Sequence, residues 1–398
     1  MSKKLDKNIQ TALGADGGKA RKEKSKHRDK SKHSKLTRTK DTVPIETKSA
    51  QLVCSKMLPR IKRAVTGQSL LPLDEVLRGR WLIKGLIGHG GYGEIYFAVD
   101  VRSAEEVAIK VEPKKRKGRT VKRMILEQKV LLRLQGRPHI PKMIASGHIN
   151  KINFIVMQLL SVNIGDLKKA SPVKRLGRST VGRIMQQAVA ALRDIHLGGY
   201  IHRDVKPANM CFGITPKTRH ILVIVDFGLV RRFKNLDGTT RPLRPRAGFR
   251  GTVRYVSTRV HDRIDQGPAD DLVSLAYSGL ELLIGDLPWK YIVKGEDVKQ
   301  AKLELQTAPP QTSLLMLTCE SFQDFCHAVF SLNTEEEPNY AALQTLLTEM
   351  VGDRKMSDPY DWEMNYREAI EGVRVYPIGF EQKCRPRHRS LAMIDPSA

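Results

Sequence analysis

Length, composition and charge exclude several classes of protein. The chain has 398 residues, of which 69 are Lys or Arg and 42 are Asp or Glu, so its formal net charge is +27. A hydrophobic fraction of 40% is close to globular usage and excludes a collagen-like or wholly disordered chain. No apolar run approaches the roughly 18 residues of a membrane-spanning helix, so we expect no membrane insertion.

Cysteine usage points to the compartment. The five cysteines are spread along the chain and contain no C-x-x-C pair. This disfavours both a disulfide framework and a zinc site. No apolar segment follows the N-terminal lysines, as it would in a secretory signal. We therefore expect an intracellular protein of the cytoplasm, the nucleus or both.

The two ends of the chain differ in composition from its middle. Residues 1–40 carry 14 Lys or Arg and 4 Asp or Glu, with few apolar side chains. Such a segment cannot bury enough apolar surface to fold, so we predict a disordered basic arm. Prolines then predict a linker that becomes ordered near Leu70, and arm and linker together span residues 1–75. We expect a folded domain over residues 76–376 and a basic tail over residues 377–398.

The apolar pattern from residue 81 onward predicts the secondary structure. Alternation with a period of two indicates strands, and apolar residues three and four apart indicate helices. In chain order these are strands 81–87, 94–100 and 106–112, helix 120–134, strands 142–148 and 153–159, helix 180–196, strand 220–225, and helices 270–284, 313–331 and 339–351. The strands come mainly first, so we expect an α+β chain with a small β-rich lobe and a larger helical lobe.

A glycine-rich turn separates the first two predicted strands. Its glycines follow a G-x-G-x-x-G pattern, in which the backbone can approach phosphate oxygens because no Cβ atom intervenes. The turn and its flanks are Ile87, Gly88, Gly90, Gly91, Gly93 and Ile95. A strand and not a long helix follows, which excludes a dinucleotide-binding fold. A glycine hairpin without a ligand is the alternative for such a motif taken alone.

A lysine lies near the end of the third predicted strand. Lys110 follows Val-Ala-Ile, and a lysine buried at the end of a strand needs an anion. Glu127, on the next predicted helix, can supply it. A surface lysine and a solvated glutamate are the alternative.

Two carboxylates and an amide follow at a spacing suited to phosphate chemistry. Asp204, Lys206 and Asn209 lie in the stretch His-Arg-Asp-Val-Lys-Pro-Ala-Asn, and Asp226 begins Asp-Phe-Gly further on. One carboxylate can accept a hydroxyl proton, while the other carboxylate and the amide hold a divalent metal against phosphate. Chance does not account for all four motifs in this order.

With these motifs, roughly residues 81–374 resemble the eukaryotic protein kinases. The resemblance implies the bilobal kinase fold, ATP and Mg²⁺ as cofactors, and transfer of the γ-phosphoryl group to Ser or Thr of protein substrates. It implies that Asp204 is the catalytic base and that Lys206 marks a serine/threonine kinase. It also implies that Lys110 grips the ATP phosphates with Glu127 as its partner.

The same resemblance assigns the remaining site residues. Asn209 and Asp226 match the metal ligands, and Gly88, Gly90 and Gly93 match the loop over the phosphates. The adenine pocket and the hinge between the lobes match Ala108, Met157, Gln158 and Leu159.

A closer resemblance appears downstream. Residues 247–257 and the motifs Asp-Asp-Leu at 270–272 and Leu-Pro-Trp at 287–289 are similar to the casein kinase 1 superfamily, and most to its tau-tubulin kinase branch. That group also lacks the A-P-E motif of ordinary kinases. The resemblance implies that Arg254 helps to bind a substrate phosphate.

The segment around Arg254 is strongly basic. Between Leu229 and Tyr255 there are 8 Lys or Arg against a single acid, Asp237. A positive field beside the substrate favours acidic or already phosphorylated sequences. A solvated loop is the alternative.

Two other classes of function were weighed. A pseudokinase-like scaffold that binds protein partners is disfavoured because Lys110, Asp204 and Asp226 are all present. Nucleic-acid binding driven by charge is not required, since no aromatic residue interrupts the lysines of residues 1–40. We expect protein substrates and a monomer.

Overall fold

The structure is a computed structural model. It describes residues 42–44, 55–62, 69–90, 93–116, 118–309, 312–333 and 336–373. The predicted basic arm (1–40) and basic tail (377–398) therefore lie outside the described residues. None of the described helices is both long and apolar enough to cross a bilayer.

Short strands dominate the first part of the chain. The strands are β1 (Thr42–Pro44), β2 (Arg60–Lys62), β3 (Val76–Leu77), β4 (Trp81–Gly90), β5 (Gly93–Asp100), β6 (Glu106–Pro113), β7 (Lys115–Arg116), β8 (Arg119–Thr120), β9 (Met143–Ile149), β10 (Ile152–Gln158), β11 (Tyr200–Ile201), β12 (Met210–Phe212), β13 (Leu222–Ile224) and β14 (Arg231–Arg232).

Helices dominate the second part. They are α1 (Arg123–Leu134), α2 (Ile164–Ala170), α3 (Arg178–Leu197), α4 (Thr258–His261), α5 (Pro268–Ile284), α6 (Gly295–Thr307), α7 (Glu320–Phe330), α8 (Tyr340–Leu346), α9 (Thr348–Val351) and α10 (Arg367–Val373). Short 3₁₀ helices lie at Ser55–Met57, Pro207–Asn209, Phe227–Leu229, Leu314–Leu317 and Asp361–Glu363.

An antiparallel sheet forms the first lobe. Its strand order is β1-β2-β4-β5-β6-β10-β9, and β3 also pairs with β4. Lys110 of β6 lies between Ile95 of β5 and Ile155 of β10. Buried and less buried side chains alternate over the first residues of β4 and β5, as a period of two predicts, whereas β6 is buried along nearly its whole length.

Two long helices form the centre of the second lobe. Helix α3 is buried on most of its surface, and α5 packs against it. The chain leaves α3 at Gly199, whose φ of +85° suits glycine. The α+β fold class, with a sheet-rich first lobe and a helical second lobe, is confirmed.

Three predicted helices differ in detail from the observed ones. Helix α1 begins at Arg123 and not at residue 120, because Thr120 pairs with Lys115 in the β7–β8 hairpin. The helix predicted over 313–331 is a 3₁₀ turn followed by α7, because the backbone of Thr318 is extended (φ −117°, ψ 173°). A tight turn at Leu347 divides the helix predicted over 339–351 into α8 and α9.

Part of the segment predicted as a linker packs on the domain. Met57 is fully buried and Leu58 is 7% exposed. Lys62 pairs with Leu86 of β4, which joins β2 to the sheet. Residues 55–62 therefore belong to the folded unit, because their apolar side chains find a place in its core.

Residues near the end of the described chain cap α3. The backbone N–H of Gly177 donates to Oδ2 of Asp361, and the N–H of Ser179 donates to Oε1 of Glu368 at 2.6 Å. These carboxylates accept from the unpaired N–H groups at the helix start, and a negative charge is favourable there. The segment up to residue 368 is thus part of the same fold.

Candidate active site

A cleft lies between the sheet and the helical lobe. It has a volume of about 940 Å³. Its walls include most of the residues predicted to bind nucleotide and metal, namely Ile87, Gly88, Gly90, Gly93, Ile95, Ala108, Lys110, Glu127, Met157, Gln158, Leu159, Asn209 and Asp226. Gly91 lies outside the described residues.

The glycines on either side of the turn between β4 and β5 border this cleft. Gly90 pairs with Gly93 where β4 turns into β5. A Cβ atom on Gly93 would collide with the carbonyl oxygen of Val111 on β6, so only glycine lets the two strands approach here. The close packing of β5 on β6 thereby fixes the position of the turn above Lys110.

Lys110 joins three elements. Its Nζ lies 2.8 Å from both carboxylate oxygens of Glu127 on α1, and 2.8 Å from Oδ1 of Asp226. Burial alone would lower the pKa of Lys110, but the two carboxylates outweigh burial and hold this pKa above its ordinary value. The lysine is therefore charged and placed where phosphate oxygens can replace one of its partners.

Asp226 adopts an unusual backbone conformation. Its φ of +66° and ψ of 72° lie in the left-handed region, which costs free energy for a residue with a side chain. The next residue, Phe227, is fully buried and packs edge-on against His202 with ring centroids 5.2 Å apart. Nε of Arg123 on α1 donates to the carbonyl of Gly228 at 3.1 Å. These contacts hold the carboxylate of Asp226 in the cleft.

A second group of polar side chains surrounds Asp204. Nζ of Lys206 donates to its Oδ2 at 2.7 Å, and Oγ1 of Thr252 donates to its Oδ1, also at 2.7 Å. Lys206 also donates to Oγ1 of Thr252 at 2.9 Å. Nδ2 of Asn209 donates to the carbonyl of Asp204 at 2.8 Å. Asp204, Lys206 and Asn209 thus form one cluster at the edge of the cleft.

Asp271, in the first turn of α5, supports this cluster from behind. Its carboxylate accepts from the backbone N–H groups of His202 and Arg203, both at 2.7 Å, and contacts Nε2 of His196 at 2.9 Å. Burial would raise the pKa of Asp271, but these bonds hold it below its ordinary value. The buried carboxylate therefore fixes the backbone just before Asp204, where Arg203 has a φ of +69°.

The oxygen donors in the cleft suit a divalent cation. Because Asn209 uses its Nδ2 on Asp204, its Oδ1 stays available. Lys110 occupies Oδ1 of Asp226, and Oδ2 of Asp226 stays available. Hard cations such as Mg²⁺ bind one or two protein oxygens together with phosphate oxygens. In the described part of the chain, no cluster of three or more His, Cys, Asp or Glu side chains forms a separate metal site.

Arg254 lies apart from the cleft. Its guanidinium is 3.5 Å from Oε1 of Glu281 on α5, which also accepts from Lys168 at 2.7 Å. The side chain of Arg254 is 29% exposed. The structure thus gives Arg254 an acidic partner within the helical lobe and leaves part of it open to solvent.

Other arginines of the basic segment share one carboxylate. Arg231 and Arg244 both form ion pairs with Asp265. Arg203 lies beside them, and burial together with the charges of Arg244 and Arg231 lowers its pKa to about 10. Arg250 contributes in the same direction. Four cations lie near two buried acids, Asp265 and Asp271, and leave a net positive region beside Asp204, which we call the arginine cluster (Arg203, Arg231, Arg244 and Arg250).

Comparison with known proteins identifies the family to which this chain belongs. The sequence profile of the protein kinase domain matches residues 81–347. The chain belongs to the protein kinase family. The kinase is 44% identical over 295 residues to a putative casein kinase I of Caenorhabditis elegans, a match that covers 74% of this chain and 86% of the relative.

Two further relatives carry serine/threonine kinase names. A probable serine/threonine-protein kinase of Dictyostelium discoideum is 35% identical over 297 residues, covering 73% of this chain and 57% of that protein. The serine/threonine-protein kinase spe-6 of C. elegans is 28% identical over 321 residues, covering 79% and 82%. The kinase is therefore a protein serine/threonine kinase of the casein kinase 1 superfamily. Its placement in the tau-tubulin kinase branch stays a prediction.

Some parts of the site were not assigned from the sequence. Thr252 and Asp271 lie in motifs that identified the superfamily, but the motifs did not indicate their contacts with Asp204 and the backbone. Five residues before the matched domain also line the cleft of the kinase, namely Lys56, Leu58, Pro59, Arg60 and Lys62. An isolated glycine in a strand, Gly85, is a signal of close approach by another segment, and it lies directly beneath Ile61.

Proposed function

We propose that this kinase transfers the γ-phosphoryl group of Mg²⁺-bound ATP to Ser or Thr of acidic or already phosphorylated proteins. The observation that carries the substrate preference is the arginine cluster beside Asp204. The general activity follows from the family, whereas Mg²⁺ and the substrate preference are the proposed additions.

The contacts of the site support a mechanism of positioning and charge stabilisation. Asp204 accepts the proton of the substrate hydroxyl and orients its oxygen, while Thr252 and Lys206 hold the carboxylate in place. Lys206 and Lys110 stabilise the negative charge that moves with the phosphoryl group. Mg²⁺ bound by Asn209 and Asp226 would neutralise charge on the phosphates.

The arginine cluster supports selection of anionic substrates. Burial is the main cause of the lowered pKa of Arg203, and repulsion from Arg244 and Arg231 adds to it, while Asp265 and Asp271 offset only part of the charge of the cluster. A phosphate or carboxylate on the substrate would relieve this repulsion and form charge-assisted hydrogen bonds. Arg250 is exposed and donates to the carbonyl of its neighbour Phe249, so it is accessible to such a group.

Peptide kinetics test this preference. We expect kcat/KM for a serine peptide flanked by phosphoserine or Asp to exceed that of the matched Ala peptide by about tenfold or more. Arg250→Gln is expected to reduce this ratio, whereas Arg102→Gln, an exposed arginine of the other lobe, leaves it unchanged. Equal rates on acidic and neutral peptides would contradict the proposal.

The same assay separates the enzyme from a pseudokinase-like scaffold. A scaffold would bind nucleotide without incorporating labelled phosphate into any peptide. Transfer that requires Mg²⁺ and disappears with a chelator supports the proposed metal. Transfer at full rate in the presence of a chelator would contradict it.

We further propose a monomeric kinase of the cytoplasm, the nucleus or both. Clusters of Lys and Arg such as those of residues 1–40 act as nuclear import signals in other proteins, which supports nuclear access. Light scattering of the full chain measures its mass, and imaging of a fluorescent fusion with and without residues 1–40 measures its location. A dimeric mass or an extracellular fusion contradicts the corresponding part.

A further inference from the structure

A short segment before the matched kinase domain spans the mouth of the cleft. We call residues 56–62 the strap. At its first end, the carbonyl of Met57 accepts from the N–H of Val162 at 2.8 Å, just after the stretch that joins the lobes. Nζ of Lys56 donates to Oδ1 of Asn365 at 3.0 Å and lies 5.1 Å from the ring centroid of Tyr366. The strap is thus anchored on the helical lobe.

Its other end is anchored on the sheet. Lys62 pairs with Leu86 of β4, the strand that leads into the glycine-rich turn. Cγ2 of Ile61 lies where a Cβ atom of residue 85 would be, so Gly85 is the residue type that admits the strap. The same seven residues therefore bridge both lobes beside the cleft.

The middle of the strap faces the cleft. Leu58 and Pro59 are buried, and together with Arg60 they line the same cavity as Ala108 and Met157. With the strap in place the cavity has a volume of about 940 Å³. The strap therefore borders this space without filling it. The cationic side chains of the strap, Lys56, Arg60 and Lys62, line the cleft, where they attract a polyanion.

We propose that the strap is a specificity-determining part of the nucleotide site that strengthens ATP binding. Leu58 and Pro59 supply an apolar wall against the nucleoside, and Arg60 adds positive charge toward the phosphates. The strap lies outside residues 81–347, so the matched kinase domain does not include this part of the site. The proposal rests on ATP use by the kinase.

Three variants of the full chain test it. Leu58→Ala shortens the wall. Gly85→Ala pushes Ile61 away from outside the cleft, since the three atoms nearest to a Cβ atom there all belong to the strap. Arg60→Gln removes an exposed charge and so leaves folding intact. Gly372→Ala is the matched control, because a Cβ atom on Gly372 would meet nothing within 4 Å.

The readouts are KM for ATP, KM for a peptide, kcat and the Kd of ADP by calorimetry. We expect Leu58→Ala and Gly85→Ala to raise KM for ATP and Kd for ADP by about three- to tenfold. Arg60→Gln should raise both by about twofold, more at low salt. KM for the peptide and kcat should stay within about twofold, and Gly372→Ala should match the wild type.

Two results would overturn the proposal. If Leu58→Ala and Arg60→Gln leave the Kd of ADP unchanged, the strap supports the fold without contacting nucleotide. If the variants lower KM for ATP, the strap occludes the cleft instead of completing it. ADP binding is measured without phosphoryl transfer, so failure of the kinase assignment and failure of this proposal are distinguishable.

Discussion

Nζ of Lys110 lies 2.8 Å from Oδ1 of Asp226, although 116 residues separate the two in sequence. The ion pair links the sheet to the segment that carries the predicted metal ligand. Lys110 also forms an ion pair with Glu127 on α1. Its two partners therefore hold the sheet, α1 and the segment of Asp226 together. The arrangement places the phosphate-binding groups of the kinase together before nucleotide arrives.

Replacing Lys110 tests the importance of this charge. We expect Lys110→Ala to reduce kcat for peptide phosphorylation by at least about a hundredfold, because a preorganised cation beside the phosphates is lost. Lys110→Arg, the control, keeps the charge and should retain more activity. Radiolabel transfer measures the rate, and circular dichroism should show an intact fold. Near wild-type transfer by Lys110→Ala would contradict the assigned role.

Replacing Asp204 separates chemistry from binding. Asp204→Asn removes the proton acceptor, so we expect kcat to fall by about 10²–10⁴-fold. The Kd of ADP should change little, since Asp204 does not line the cleft. Calorimetry and radiolabel transfer measure the two effects. Retained phosphate incorporation into casein would be incompatible with Asp204 as the base.

Replacing Asp271 tests the support behind the catalytic cluster. Asp271→Asn puts an amide donor beside two backbone N–H groups that need acceptors. We expect a loss of about 2–4 kcal/mol in the free energy of unfolding and a fall in kcat of about a hundredfold. Chemical unfolding and steady-state kinetics measure both. Asp286→Asn, a control at a half-exposed aspartate, should change neither.

Buried Asp361 predicts a pH dependence of stability. Burial raises its pKa to about 6, with Gly177 opposing and Glu368 reinforcing the shift. The folded state therefore binds more protons than the unfolded state between about pH 4 and 6, and stability from this group falls as pH rises through that window. The effect amounts to at most about 3 kcal/mol.

Asp361→Asn should flatten this dependence. Because its side chain is neutral at every pH, the stability that the variant gains over the wild type should grow as the pH rises from about 4 to about 6. Thermal unfolding midpoints across that range provide the measurement, with Asp353→Asn as an exposed control. Parallel curves for Asp361→Asn and the wild type would show that Asp361 titrates normally.

Local patterns predicted the elements well where one face of the element meets the core. Strands β4, β5 and β6 and helix α3 lie close to their predicted bounds because alternation and helical spacing report burial directly. The predicted helix over 313–331 failed at Thr318, where apolar spacing continues although the backbone is extended. Spacing reports which side chains are buried and does not report backbone hydrogen bonding.

The sequence by itself determined the chemistry of this kinase. The motifs predicted Lys110, Asp204, Asn209 and Asp226 as the groups for phosphoryl transfer, because protein kinases carry such residues in a fixed order along the chain. The basic segment between Leu229 and Tyr255 likewise predicted acidic or phosphorylated substrates. These properties depend on residue type and spacing, and both can be read directly.

Only the tertiary structure decided how distant segments complete the site. The strap reaches the cleft from before the matched domain, Asp271 holds the backbone at His202, and Asp361 caps α3 from 184 residues away. None of these contacts leaves a periodic signal, because each joins residues that are far apart in sequence and lie in different elements. Packing brings them together. Folding likewise places part of the net charge of +27 in the arginine cluster beside Asp204.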